Sequence, residues 1–185
     1  MLISPIQNVA YLAQEWTQKR PRISQQHSAN PHLYVGFKLK GHNGTDYGVP
    51  VGTPVFAPMD GFLKVVETEG GYGLHVRLRN PLKGIEIVLA HLSAVGISDG
   101  KFVNMGDEIG LSGNSGYSTG PHLHMGTRRI RQPKIAIPDN QDLLSELGKT
   151  IWDWTPLDVN DGYAGYFDDR EFVLTWKGTL LKNTR

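Results

Sequence analysis

Through the middle of the chain, apolar side chains recur at every second position. Residues 61–68 place Leu63 and Val65 on one side, and residues 73–79 do the same with Leu74, Val76 and Leu78. Such spacing puts alternate side chains on one face of an extended strand. Glu69-Gly70-Gly71-Tyr72 lies between the two runs, so the pair predicts a β-hairpin closed by a Gly-Gly turn. Residues 84–91 form a third run, apolar enough to predict burial on both faces. Shorter runs at 106–112 and 122–127 complete the set.

Helical spacing is confined to the ends. Val9, Leu12 and Trp16 predict a short helix over 8–20, stopped by Pro21. Leu143, Leu144 and Leu147 predict another over 140–148, capped by Asn140 and ended by Gly148. Residues 24–31 are polar and loop-like, and the β pattern begins at Tyr34. No long amphipathic helix fits between 41 and 129. Short strands at close spacing, with 22 glycines in the chain, favour an antiparallel sheet or sandwich with short terminal helices. The organisation read from this is an N-terminal extension over 1–33, a β domain over 34–138 and a C-terminal extension over 139–185. Residues 151–185 hold 7 of the 17 aromatics, which is too much apolar surface for a free tail, so this extension should pack on the core.

Composition narrows the chemistry. At 185 residues, the chain can bury a core without a disulfide staple. It has no cysteine, which excludes thiolate metal sites and cysteine nucleophiles. A net charge of +1 is too weak to argue for nucleic acid, yet would not repel an anionic wall polymer. The first residues lack the basic and long apolar stretches of a secretory signal, and no window is long and apolar enough for a membrane span.

Seven histidines remain, and four of them form a pattern with one aspartate. Asn43-Gly44 is a turn dipeptide that would fold Asp46 back beside His42. His122 and His124 are two apart, so in a strand both imidazoles project from one face. His91 ends the apolar run 84–91. Taken singly, each is equally well a surface or core residue. Together, His42, Asp46 and one histidine of the His122/His124 pair supply the three protein ligands that a catalytic zinc site uses. Two histidines are then left over, with ordinary pKa values suited to moving protons near neutrality. His75 is read as solvent-exposed. His27 and His32 precede the domain, where they line or occlude a groove.

Residues 41–126 resemble the lysostaphin-type zinc endopeptidases that act on peptidoglycan. The resemblance rests on His42-x-x-x-Asp46, Gly52-Thr-Pro-Val-Phe-Ala-Pro-Met-Asp-Gly61, Leu89-Ala-His-Leu92 and Gly113-Asn-Ser-Gly-Tyr-Ser-Thr-Gly-Pro-His-Leu-His124. It implies a mainly β, antiparallel scaffold of the lysostaphin-like (duplicated hybrid motif) type. It also implies one Zn2+ held by His42, Asp46 and His124, with His91 and His122 as the catalytic pair, one taking a proton from water and the other stabilising the developing oxyanion. The substrate it implies is a peptide of bacterial peptidoglycan, cut by a monomer that neither binds nucleic acid nor inserts into a membrane. With no visible leader, a phage lysis or wall-penetration enzyme is the expected setting. One departure stands out: many family members carry a glutamate two residues after the last ligand, where this chain has Gly126. A non-catalytic regulatory module of the same fold is the rival reading, opposed by the presence of all five residues. A wall carboxypeptidase of a neighbouring superfamily is another, opposed by the short His42–Asp46 spacing.

Overall fold

Each alternating run in the middle of the chain becomes a strand. The computed structural model describes residues 22–131 and 142–168, together with the backbone of two short strands, Leu2–Ile3 (β1) and Val173–Leu174 (β14), which pair in parallel. The predicted helix over 8–20 and the aromatics Phe172 and Trp176 lie outside the described residues.

Two antiparallel sheets carry the fold. The larger contains β2 (Arg22–Gln25), β3 (Thr45–Gly48), β5 (Gly61–Val66), β6 (His75–Asn80), β7 (Ile85–Ala90), β9 (Phe102–Val103) and β11 (Leu123–Arg131), in the order β2-β3-β11-β7-β6-β5-β9. The smaller is β4 (Pro54–Phe56), β10 (Glu108–Ser112) and β8 (Leu92–Val95), with β10 central. The predicted hairpin is β5 and β6, running from Phe62↔Arg79 to Val66↔His75. β7 is buried on both faces beyond Ile85, as its density of apolar residues required.

Alternation divides the large sheet into two faces. Val76 and Leu78, Ile87 and Leu89, and Leu123 and Met125 point inward and join Leu63, Leu92 and Ile109 in one cluster. Each such side chain contributes roughly 1.5–3 kcal/mol on burial. The opposite face carries His75, Arg77 and Arg79 on β6, Glu86, Val88 and Ala90 on β7, and His124, Gly126 and Arg128 on β11.

The C-terminal segment covers part of that second face. A helix, Leu143–Thr150, and a 3-10 turn, Ile151–Asp153, lead to β12 (Thr155–Pro156) and β13 (Tyr166–Phe167), both paired to β11. Trp154 and Tyr166 are buried, and Trp152 packs against the cluster of Ile130, Leu147, Ile151 and Trp154. Beneath them Glu86 is fully buried between two guanidinium groups, with Arg79 Nε donating to it at 2.6 Å and Arg128 Nε at 2.7 Å. Arg79 Nη1 also donates to the carbonyls of Ile151 and Trp154, at 2.7 and 3.1 Å.

Four local expectations are corrected. Residues 22–25 form a strand, because a polar edge segment pairs through backbone groups with β3 and needs no apolar pattern. Pro31–Tyr34 is a short helix followed by a 3-10 turn at Val35–Phe37, so the β pattern does not begin at Tyr34. The C-terminal helix is capped by Asp142, whose side chain accepts from Leu144 N, and Gly148 lies inside it. His75 is buried, not exposed: its Nδ1 donates to the Gly73 carbonyl at 2.9 Å and the Tyr72 ring packs 5.5 Å from its own.

Candidate metal centre

β3 and β11 are neighbours in the large sheet, in a register that sets His124 directly opposite Asp46. His124 Nδ1 lies 2.9 Å from Asp46 Oδ1. The Asn43-Gly44 turn brings His42 back over the same carboxylate, with Nε2 at 3.1 Å from Oδ1 and 3.0 Å from His124 Nδ1. All three residues are buried. Their three facing atoms form a nearly equilateral triangle.

This triangle fits a small cation. His42 Nδ1 is committed to the carbonyl of Gln26 at 3.1 Å, which leaves Nε2 as the lone-pair atom facing inward. His124 Nε2 is shut away without a hydrogen-bond partner, so Nδ1 is its inward atom. Gly44 makes that ring position attainable, since a Cβ there would lie 2.6 Å from His124 Cε1. Neutral imidazole lone pairs and a carboxylate oxygen facing one another repel unless a proton or a metal cation lies between them. Ligand atoms at about 2.0–2.1 Å from a tetrahedral zinc would stand roughly 3.3 Å apart, close to the spacing seen. His42, Asp46 and His124 form the one group of this kind among the described residues.

The electrostatics agree. Burial alone would raise the Asp46 carboxyl, but hydrogen bonds with His124 and His42 and their charges outweigh it and hold the group well below the usual carboxylate range. Burial pushes the His124 imidazole down, which favours the neutral, ligating form.

His91 and His122 flank this triangle. His91 sits where the chain leaves β7 for β8 and so passes from one sheet to the other, with a left-handed φ of 62°. A non-glycine residue held there marks a local strain that the surroundings enforce. Its Nδ1 donates to the Ser115 carbonyl at 2.8 Å, and burial pushes its imidazole down to about 4 against that hydrogen bond. His122 precedes β11, bridged to Gly113, with Nδ1 at 2.8 Å from the Gly120 carbonyl and Nε2 3.7 Å from Asp46 Oδ2. The two rings lie 4.6 Å apart, centroid to centroid. Each therefore spends Nδ1 on a backbone carbonyl and keeps Nε2 available for chemistry.

The structure thus gathers all five residues singled out from the sequence. His27 and His32 stand apart from the triangle: His27 packs on Tyr163 and bonds to the Tyr166 carbonyl, and His32 is exposed. Two neighbours of the site went unrecognised in the sequence. Tyr34 packs 5.5 Å from the His42 ring, and burial, then Asp46, push its phenol up to about 12. Tyr72 packs 5.2 Å from the His124 ring and accepts a hydrogen bond from Asn43 Nδ2 at 2.8 Å. Its place beside the Gly70-Gly71 turn was the available signal.

A buried imidazole–carboxylate–imidazole triangle beside two imidazoles with Nε2 turned from their backbone bonds suits a metal-dependent hydrolase. Residues 40–136 match the description peptidase family M23, and the chain belongs to that family of zinc-dependent peptidases. Over 101 residues it is 44% identical to the DD-carboxypeptidase/endopeptidase Mpg of Neisseria meningitidis, covering 52% of this chain and 23% of that one. Peptidoglycan DD-endopeptidase ShyA of Vibrio cholerae is 36% identical over 108 residues, 58% of this chain and 25% of the relative. The chain therefore spans about a quarter of the length of these curated relatives. Among solved structures, lysostaphin from Staphylococcus simulans aligns with a TM-score of 0.52 at 27% identity, covering 60% of this chain and 44% of that one. A zinc-containing peptidase from Vibrio cholerae aligns with a TM-score of 0.51 at 29% identity, covering 63% and 37%.

Proposed function

We propose that this chain hydrolyses peptide bonds in the stem peptides or cross-bridges of bacterial peptidoglycan. In this reading, residues 34–138 form the catalytic unit and residues 1–33 and 139–185 are extensions upon it. His42, Asp46 and His124 hold one zinc ion, and His91 and His122 handle the protons. The observation that carries the reading is the pairing of that buried triangle with two imidazoles whose Nδ1 atoms are already spent on backbone carbonyls. The relatives named for DD-endopeptidase activity support the substrate class.

Bound zinc would polarise the scissile carbonyl and bring the pKa of a coordinated water to about 7. The chain's own residues do the rest. Asp46 keeps its charge in a buried setting and so offsets that of the cation. The hydrogen bonds to Ser115 and Gly120 fix the tautomer and direction of His91 and His122, which lets one Nε2 receive the proton of the attacking water. The other ring, when protonated on both nitrogens, donates from Nε2 to the oxygen on which charge develops, and the proton taken from the water passes from the first Nε2 to the leaving amine.

The test is mass spectrometry of purified sacculi digested by the zinc-loaded protein, with His122→Ala alongside. New peptide termini with the wild type and none with the variant are expected. Intact walls of several chemotypes, from protein shown to hold zinc, would replace the enzyme with a regulatory module of the same fold.

A further inference from the structure

The two histidine ligands are not held alike. His42 has its second nitrogen tied to the Gln26 carbonyl, the usual way in which a ligating imidazole is oriented. His124 has no such tie, because its Nε2 is buried without a partner. Its ring must be oriented by packing. Gly44 lies against the Nε2 edge, and the Tyr72 ring lies 5.2 Å away, centroid to centroid. Tyr72 also accepts from Asn43, the residue after His42, so one side chain touches both ligand-bearing segments.

Tyr72 is itself braced from outside the family-matched region. Tyr166, on β13, is buried and forms a small cluster with Val88 and Ala90, against which Tyr72 packs. The Tyr166 ring fills the space over Gly126, two residues beyond His124. A Cβ at Gly126 would lie 2.9 Å from Tyr166 Cδ1 and 3.2 Å from the Asn43 carbonyl oxygen. Pairing of Arg128 with Tyr166, the Arg128 guanidinium 4.8 Å from its ring centroid, and the hydrogen bond between His27 and its carbonyl fix the residue from several sides.

We propose that Tyr166 is a positioning residue for the metal centre: its ring, seated on Gly126, holds Tyr72 against His124 and Asn43. The C-terminal segment thereby acts on the site through Tyr166 and Tyr72. The inference rests on the reading of His42, Asp46 and His124 as zinc ligands.

The experiment uses the full chain as wild type, Tyr166→Ala, Tyr166→Leu, Tyr166→Phe, Gly126→Ala and the double variant Gly126→Ala/Tyr166→Ala. Zinc affinity is read by competition with a chromophoric chelator, and ligand geometry by the visible absorption of the cobalt(II) form. Tyr166→Ala should weaken zinc about tenfold, within the range found for residues that orient metal ligands, and should shift the cobalt bands. Tyr166→Phe, which keeps the ring, should remain close to wild type. Gly126→Ala should weaken zinc by itself and cost clearly less in the Tyr166→Ala background, where the ring is gone and only the 3.2 Å approach to the Asn43 carbonyl remains. Tyr166→Leu carries the same test if the alanine variant does not fold, because it keeps apolar burial and lacks the ring. Wild-type affinity and an unchanged cobalt spectrum in a folded Tyr166→Ala or Tyr166→Leu protein would overturn the inference. A wild type that binds no zinc would overturn the ligand assignment, and the inference with it.

Discussion

Two buried carboxylates organise this molecule, and their surroundings give them different work. Asp46 faces His42, His124 and His122 and has no lysine or arginine bonded to it among the described residues. Replacing it with Asn keeps the shape and removes the charge that a dication requires. Asp46→Asn should therefore weaken zinc by roughly a hundredfold or more, read by chelator competition, with the fold intact by circular dichroism. Glu86 is instead a structural charge. Burial would raise its carboxyl, but the Arg128 and Arg79 charges outweigh burial and hold it below the usual range. A carboxyl depressed in the folded state stabilises the protein fully above its unfolded value of about 4.3, and that contribution fades as pH falls toward the folded value. Glu86→Gln leaves the buried Arg79 and Arg128 and the half-buried Arg77 without their shared counter-charge and should cost about 3 kcal/mol at neutral pH, measured by urea unfolding. The deficit should narrow as pH falls from about 4.3 toward the lower folded value, because the unfolded wild type then takes up a proton that the folded state still resists.

At the scale of elements, legibility followed the kind of force that forms each one. The β5–β6 hairpin and β7 are made by side-chain burial, and alternation of Leu63, Leu78, Ile87 and Leu89 announces them. β2 is made by backbone pairing at a sheet edge, and Arg22-Ile23-Ser24-Gln25 carries no comparable signal. The C-terminal helix starts two residues later than expected, because Asp142 accepts the capping hydrogen bond that Asn140 was expected to take. Gly148 explains why the other boundary moved. It sits within the helix against Phe62, where a Cβ would come 2.4 Å from Cζ. Gly148→Ala would gain about 1 kcal/mol of helix propensity, whereas forcing the Phe62 ring aside costs about 1–3 kcal/mol. Overpacking should win, so this substitution is expected to lower the melting temperature, against the usual direction for Gly→Ala in a helix.

Over the whole molecule, the five candidate site residues were recognisable because short motifs carry them, whereas the packing of Tyr72 on the Tyr166 cluster depends on a segment folding back across the sheet. No local pattern encodes a contact between residues 94 positions apart, such as Tyr72 and Tyr166. That segment should also matter for stability. A chain ending at residue 141 loses Trp154, Tyr166 and the two carbonyls that Arg79 uses, and should melt roughly 10 °C lower or fail to remain soluble, given about 1.5–3 kcal/mol for each large side chain. The two sheets have separate shares in the site. Asp46 and His124 lie on β3 and β11, and His42 just before β3, all on the large sheet. His91 and His122 lie instead at the seam, one on the link from β7 to β8 and the other bridged to Gly113 at the end of β10. Warming that loosens the smaller sheet first would move the two seam histidines apart and leave the ligand triangle closed. Heated protein should accordingly pass through an inactive form that still carries its zinc, with catalysis failing several degrees before the ion escapes to a fluorescent indicator.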